Sequence, residues 1–198
     1  AGSPHQVYIL PPPLRFKWFS HSSLAVKKEG RVLYNTELTD HRYGIAWPPL
    51  PNDRTSMWRI KVHGVGGGCS LGVVGGDHEL HDSVYQEPSA FAFQSHSLCW
   101  VAGKRVPAMD GWVGFSDGDD VLLRLDPDQQ TLQLRFRSRR AARRAKHRIF
   151  TIHTGACPPE GFRPMVSLRC FGKCKVELLG EPTPAHWAAR DAEDARDR

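Results

Sequence analysis

The stretch Gly111–Leu134, GWVGFSDGDDVLLRLDPDQQTLQL, leaves little freedom in local structure. In Val121–Leu125 the odd positions Val121, Leu123 and Leu125 are apolar and Arg124 points the other way. In Thr131–Phe136 the set Leu132, Leu134 and Phe136 alternates with Gln133 and Arg135. Two period-two runs on either side of an Asp/Pro/Gln break predict an antiparallel hairpin with one buried face. Nothing in the stretch has catalytic character. A chain that repeats this design folds as a β-sandwich that binds with its loops.

The rest of the chain does repeat it. Met57–Val62 (MWRIKV) turns Trp58, Ile60 and Val62 inward, and Ser70–Val74 does the same with Leu71 and Val73. Phe91 and Phe93 share one side of Ala90–Phe93, and Ala102-Gly103 joins Leu98–Val101 to Lys104–Val106 as a short hairpin. Arg15–Ser20, Ser23–Val26 and Arg31–Tyr34, with Val32 and Tyr34 alternating, supply the first strands. Ile149–Ile152, Met165–Leu168 and Lys173–Leu178 supply the last. The total is about a dozen short strands, all-β, with no helix expected in the body. Fifteen Pro and eighteen Gly, widely scattered, fit many short elements joined by turns. Nineteen large aromatics are enough for a substantial core. Trp58, Phe91, Phe93, Leu123 and Val166 are the expected core residues.

Residues 1–13, with Pro4 and Pro11-Pro12-Pro13, read as an extended lead-in, 14–180 as a single domain, and 181–198 as a charged tail, helical or disordered. Thr36–Asp53 reads as a long aromatic and Pro-rich connection, and Gly75–Pro88 as a polar loop. No run is long and apolar enough for a membrane helix, so no membrane partner is expected, and an isolated domain is expected to be a monomer. Five cysteines without CxxC spacing point to free thiols in a reducing compartment, cytoplasmic or nuclear. Cys170 and Cys174, at even positions with Val176 and Leu178, read as core thiols of one strand pair.

Charge is concentrated in one place. Eight of the 27 Lys and Arg residues fall in Arg135–Arg148 (RFRSRRAARRAKHR) with no acidic residue among them, so the remainder is close to neutral. Arg139, Arg140, Arg143, Arg144, Lys146 and Arg148 form the candidate basic patch. It is a solvated extension of the hairpin, a patch for phosphate, nucleic acid or nuclear import, or a selector for acidic peptides. With no aromatics interleaved between Arg137 and Ile149, any nucleic-acid binding there is expected to be nonspecific and salt-sensitive. An enzyme reading rests on His78, His81 and Asp82, where His78-x-x-His81 offers a metal two ligands and a His–Asp pair offers acid–base chemistry. With no third fixed ligand, nucleophile motif or phosphate-cradling loop, neither enzyme, metal nor cofactor is expected.

Four ordered landmarks carry a resemblance. MWRIKV before GGGCSLGV, AFAFQSHSLCWVAGKRV with its Gly-Lys turn, DDVLLRLDPDQQTLQL and FRPMVSLRCFGKCKVELL are similar to successive segments of a SPRY domain (B30.2 class), from about Phe16 to Leu179. The Leu125-Asp126-Pro127 of this chain stands elsewhere than the LDP of the PRY extension, and the basic insertion is longer than the pattern. The resemblance implies a bent β-sandwich of two antiparallel sheets that binds peptide segments of other proteins through loops at one end. Some such domains serve ubiquitin ligases as their substrate-recognition part. Carried over residue by residue, it implies a peptide site at Tyr85 and at Phe171-Gly172. The Thr36–Asp53 connection adds Arg42, Tyr43 and Trp47. Tyr, Trp and Arg suit that work because they join large contact area to hydrogen-bonding tips.

Overall fold

A computed structural model describes residues 13–19, 24–35, 39–64, 68–76, 84–96, 98–107, 112–137, 149–170, 174–180 and 182. Fourteen strands among them form two antiparallel seven-stranded sheets. Sheet A runs, in spatial order, β1 (Arg15–Phe19), β4 (Thr39–Trp47), β13 (Phe162–Cys170), β6 (Cys69–Gly75), β7 (Phe91–Gln94), β8 (Leu98–Val101) and β9 (Lys104–Pro107). Sheet B runs β12 (Phe150–His153), β11 (Thr131–Arg137), β10 (Asp120–Asp126), β5 (Ser56–His63), β14 (Cys174–Leu178), β3 (Val32–Asn35) and β2 (Leu24–Lys27).

The β10–β11 hairpin pairs as its alternation requires, Leu123 opposite Leu134 and Leu125 opposite Leu132. Its turn is held by Asp126, whose carboxylate accepts from the Gln129 N–H at 3.0 Å and from Arg124 at 2.9 Å. Asp at the first turn position and Pro after it set this geometry. On the other side of β10, Leu123 faces Trp58 and Val121 faces Ile60 of β5. The inward rows of both sheets meet in one core that includes Trp58, Leu71, Phe91, Phe93, Leu123, Val166 and Val176, all buried. Every expected core residue is there.

Two readings of the sequence change. Within the expected connection Thr36–Asp53, residues Thr39–Trp47 form the long strand β4, which pairs with both β1 and β13. Its alternation is hidden because over Tyr43, Gly44, Ile45 and Ala46 both faces are apolar or small. In β3 the residue that reaches the inter-sheet core is Leu33, fully buried, whereas Tyr34 is half-buried on the outer face beneath Lys27, 4.6 Å from its ring. Leu33 needs room on the facing strand, and Gly44 of β4 provides it: a Cβ at Gly44 would overlap the Leu33 side chain. The expected polar loop Gly75–Pro88 contains a short 3-10 turn, Val84–Gln86. Cys69, Cys99 and Cys174 are buried free thiols and Cys157 is a half-buried one. Burial pushes the Cys99 thiol up to about 11, partly offset by a backbone hydrogen bond at Gln94.

Trp58 is the largest fully buried side chain and sits where β5 meets β10. Trp58→Ala is expected to destabilise the fold by about 3–5 kcal/mol through lost burial and the cavity left behind. Urea unfolding followed by circular dichroism measures this, and an unchanged midpoint would remove Trp58 from the core.

Candidate functional site

Sheet A has two apolar faces. Antiparallel partners share a face, and the register sets Met165 beside Ile45 and Ser167 beside Tyr43, whereas Val166 and Leu168 point into the inter-sheet core. Tyr43, Ile45, Val74, Ala92 and Met165 thus form a second, separate cluster on the outer face of the sheet, all buried. Val84 and Tyr85, from the turn before β7, lie on this cluster. Val84 is fully buried and Tyr85 half-buried. The turn is tied down by Glu87 N–H donating to Val84 C=O at 3.1 Å and Ala90 N–H to Glu87 C=O at 2.9 Å. Gly103, in the β8–β9 turn with φ of 71°, passes so close to the Gln86 carbonyl that a Cβ there would overlap it.

Tyr85 joins a row of aromatic rings across this face. Its ring centre lies 5.4 Å from that of His41, 5.8 Å from Tyr43 and 4.4 Å from Trp100. His41 Nδ1 and Ser167 Oγ share a hydrogen bond of 2.8 Å, which fixes the imidazole. Ser167 is itself fully buried, so the pair orients His41 and presents no accessible nucleophile. His41, Tyr85 and Trp100 remain half-exposed. The Tyr85 hydroxyl makes no hydrogen bond among the described residues, which leaves it able to donate to and accept from a ligand.

The structure divides the residues that the resemblance brought together. Tyr85 is at the surface of the row. Tyr43 is fully buried beneath it and supports Tyr85 from below instead of meeting a partner, because its strand position points into the second cluster. Arg42, half-exposed, is on the opposite side of β4, beside Leu168 in register. Trp47 is six residues beyond His41 along β4, roughly 20 Å at about 3.3 Å per residue, and packs with Trp18 instead. Phe171 and Gly172 lie outside the described residues, although β13 ends at Cys170 beside Thr39, at the His41 end of β4. His41 and Trp100 escaped sequence reading. Trp100 alternates with buried Cys99, which is a usable signal, but nothing local marks His41.

Trp47 packs edge-on against Trp18, with ring centres 5.4 Å apart. A bulge in β1 between Phe16 and Trp18 adds one residue to the strand, and the ammonium of that residue, Lys17, lies 5.0 Å from each tryptophan ring. The Arg163 guanidinium, from β13, lies 4.9 Å from Trp18 and 5.7 Å from Trp47. Trp47 is 39% exposed.

The outer face of sheet B carries several ion pairs. Arg59 pairs with Asp120 at 2.6 Å, and Lys28 with Glu177 at 2.9 Å. The hydrogen bond from Lys28 is the main reason that the Glu177 carboxyl is held below the usual carboxylate range. His63 stands on this face opposite Lys175. Its pKa is lowered, first by burial and then by Lys175 and Lys61, against the opposing pull of Asp117 and Glu177. The basic-patch residues Arg139, Arg140, Arg143, Arg144, Lys146 and Arg148 lie outside the described residues, as do His78, His81 and Asp82. Among the described residues no group of three His, Cys, Asp or Glu is placed to hold a metal.

No protein-family model matches the chain, and no curated protein matches it significantly. Solved structures do. The SPRY domain of human HERC1 matches with a TM-score of 0.58 at 15% identity, over 82% of this chain and 95% of that one. The PSpry domain of TRIM65 matches with a TM-score of 0.59 at 13% identity, over 84% and 92%. A human SPRY domain matches with a TM-score of 0.53 at 19% identity, over 82% and 96%. The chain has the SPRY fold, as its motifs led one to expect.

Tyr85 covers buried apolar surface with its ring and nothing with its hydroxyl. Tyr85→Ala is therefore expected to lower stability by about 1–3 kcal/mol, while Tyr85→Phe leaves it within about 0.5 kcal/mol. Thermal melts of the two variants make the comparison. For His63 the folded pKa lies below its ordinary value of 6.5. The unfolded chain thus binds the proton more readily, and the contribution of His63 to stability is complete above about pH 6.5 and is lost as pH falls through the folded value. Unfolding curves between pH 5 and 7 are expected to lose part of this slope in His63→Gln.

Proposed function

We propose that the chain is a noncatalytic protein-interaction module that captures a short peptide or exposed loop of a partner at the Tyr85 end of the outer face of sheet A. The observation that carries this reading is the row His41–Tyr85–Trp100: half-exposed rings on a sheet, backed by buried Tyr43, with a Tyr85 hydroxyl that makes no hydrogen bond among the described residues. Rings held from beneath lose little freedom when a ligand covers them, so their contact area converts into affinity with a small entropic cost. Phe171 and Gly172 follow the strand end that pairs with Thr39, at the His41 end of β4. These two residues complete the proposed peptide site, whereas Arg42 points to the other side of the strand. The anchoring residues come from separate segments of chain, so each can vary independently and tune which sequence is accepted. In a larger assembly, a ubiquitin ligase or a signalling protein, such a module would act as the recognition part.

Peptide display against the purified chain tests the reading. Selected peptides are expected to share a motif and to lose at least about thirtyfold in affinity on Tyr85→Ala and on Phe171→Ala. They are expected to be indifferent to neutralisation of Arg139, Arg140, Arg143 and Arg144. Binders that tolerate both aromatic substitutions would sink the assignment. Loss of binding only when the four arginines are neutralised would move the activity to the basic insertion and its acidic or nucleic-acid partners.

A further inference from the structure

We infer that the corner of sheet A formed by Trp18, Trp47, Lys17 and Arg163 is a receiving site for a carboxylate carried by an acidic segment of a partner protein. This corner is at the far end of β4 from the Tyr85 row, so the inference stands independently of the peptide site there.

Its basis is an imbalance of charge. The Lys17 ammonium and the Arg163 guanidinium approach the same two indole rings, at 5.0 Å from each ring and at 4.9 and 5.7 Å respectively. Among the described residues neither is paired with a carboxylate, whereas Lys28, Arg59 and Arg124 on sheet B all are. The Arg163 Nε atom is buried and has no hydrogen-bond partner among the described residues, a donor that is costly to leave unmatched.

The plainer explanation is that cations over rings seal an edge strand, since a bulge and a lysine both discourage edge pairing. That accounts for Lys17 and Trp18 in β1. It does not account for a second cation, from β13, set over the same two rings with no carboxylate beside it among the described residues. A carboxylate bound at this corner offsets both positive charges and meets the fork of the guanidinium in the planar geometry it offers. Binding of single-stranded nucleic acid is disfavoured because it needs open ring faces for stacking, and here both tryptophans already carry the protein's own cations.

The test uses the full chain and a short peptide of alternating Glu and Ala, with its Gln-for-Glu counterpart as control. Binding is followed through the indole N–H signals of Trp18 and Trp47, assigned with Trp18→Phe and Trp47→Phe. The acidic peptide is expected to shift both signals, less so as salt is raised, and the Gln peptide to leave them in place. Affinity is expected to fall at least about tenfold in Lys17→Gln/Arg163→Gln, and in Arg163→Gln alone should the double variant lose its dispersed spectrum. Tyr85→Ala is expected to leave the titration unchanged. Three results overturn the inference: no shift with the acidic peptide, equal shifts with both peptides, or undiminished binding by folded Arg163→Gln. Tighter binding of a thymidine oligonucleotide at the same signals also overturns it and assigns the corner to nucleic acid.

Discussion

Sheet A has to be shielded on both faces, and much of the molecule is arranged to meet that need. Strand β6 is buried at every one of its seven positions, and Tyr43, Ile45 and Met165 are buried on the side away from sheet B. An antiparallel sheet ordinarily packs one face and wets the other. Here the second face is covered at the Tyr85 end by a single turn and a row of rings, and at the Trp47 end by two tryptophans under two cations. The covering side chains are themselves only partly covered. The groups that shield the sheet are consequently the groups that a partner molecule meets first.

The two faces of the sandwich differ in how their charges are resolved. On sheet B, Lys28, Arg59 and Arg124 each have a carboxylate within 3 Å. Exposed pairs of this kind add little to stability, but each offsets one positive charge on that surface. On sheet A, Lys17 and Arg163 have, among the described residues, only the negative faces of indole rings. That difference comes from geometry, since a bulge in β1 and an outward position in β13 bring both cations to the same two rings.

Legibility in the sequence followed the same division. Strand β5 buries one side chain in two, and in β10 and β11 the apolar rows Val121, Leu123, Leu125 and Leu132, Leu134 are set off by Arg124 and Gln133. Their alternation could therefore be read directly, and their register followed from it. Strand β4 could not be read this way, because Tyr43 and Ile45 enter one cluster while Gly44 and Ala46 make room for the other. Treated as a connection, it left Arg42, Tyr43 and Trp47 looking like neighbours in a loop. As a strand it turns Tyr43 into the core and carries Trp47 roughly 20 Å away from His41. Tyr85 was found through resemblance and not through any local signal. Its companions His41 and Trp100 required the pairing of β4 with β13 and of β7 with β8, which no short stretch of sequence encodes.

The positions of β13 and β14 affect how the chain acquires its structure in time. Each enters the middle of a sheet, β13 between β4 and β6 and β14 between β5 and β3. Until these late segments arrive, both sheets are split and four strand edges lack their partners. Val166 must reach Gly44, and Val176 must reach Leu33, across most of the chain. Closure entropy of that kind slows folding, and it must be met before the central ladders can form. A nascent chain emerging from the ribosome would carry those open edges for most of its synthesis, which is the circumstance in which strands pair with the wrong neighbour and chaperones find their clients.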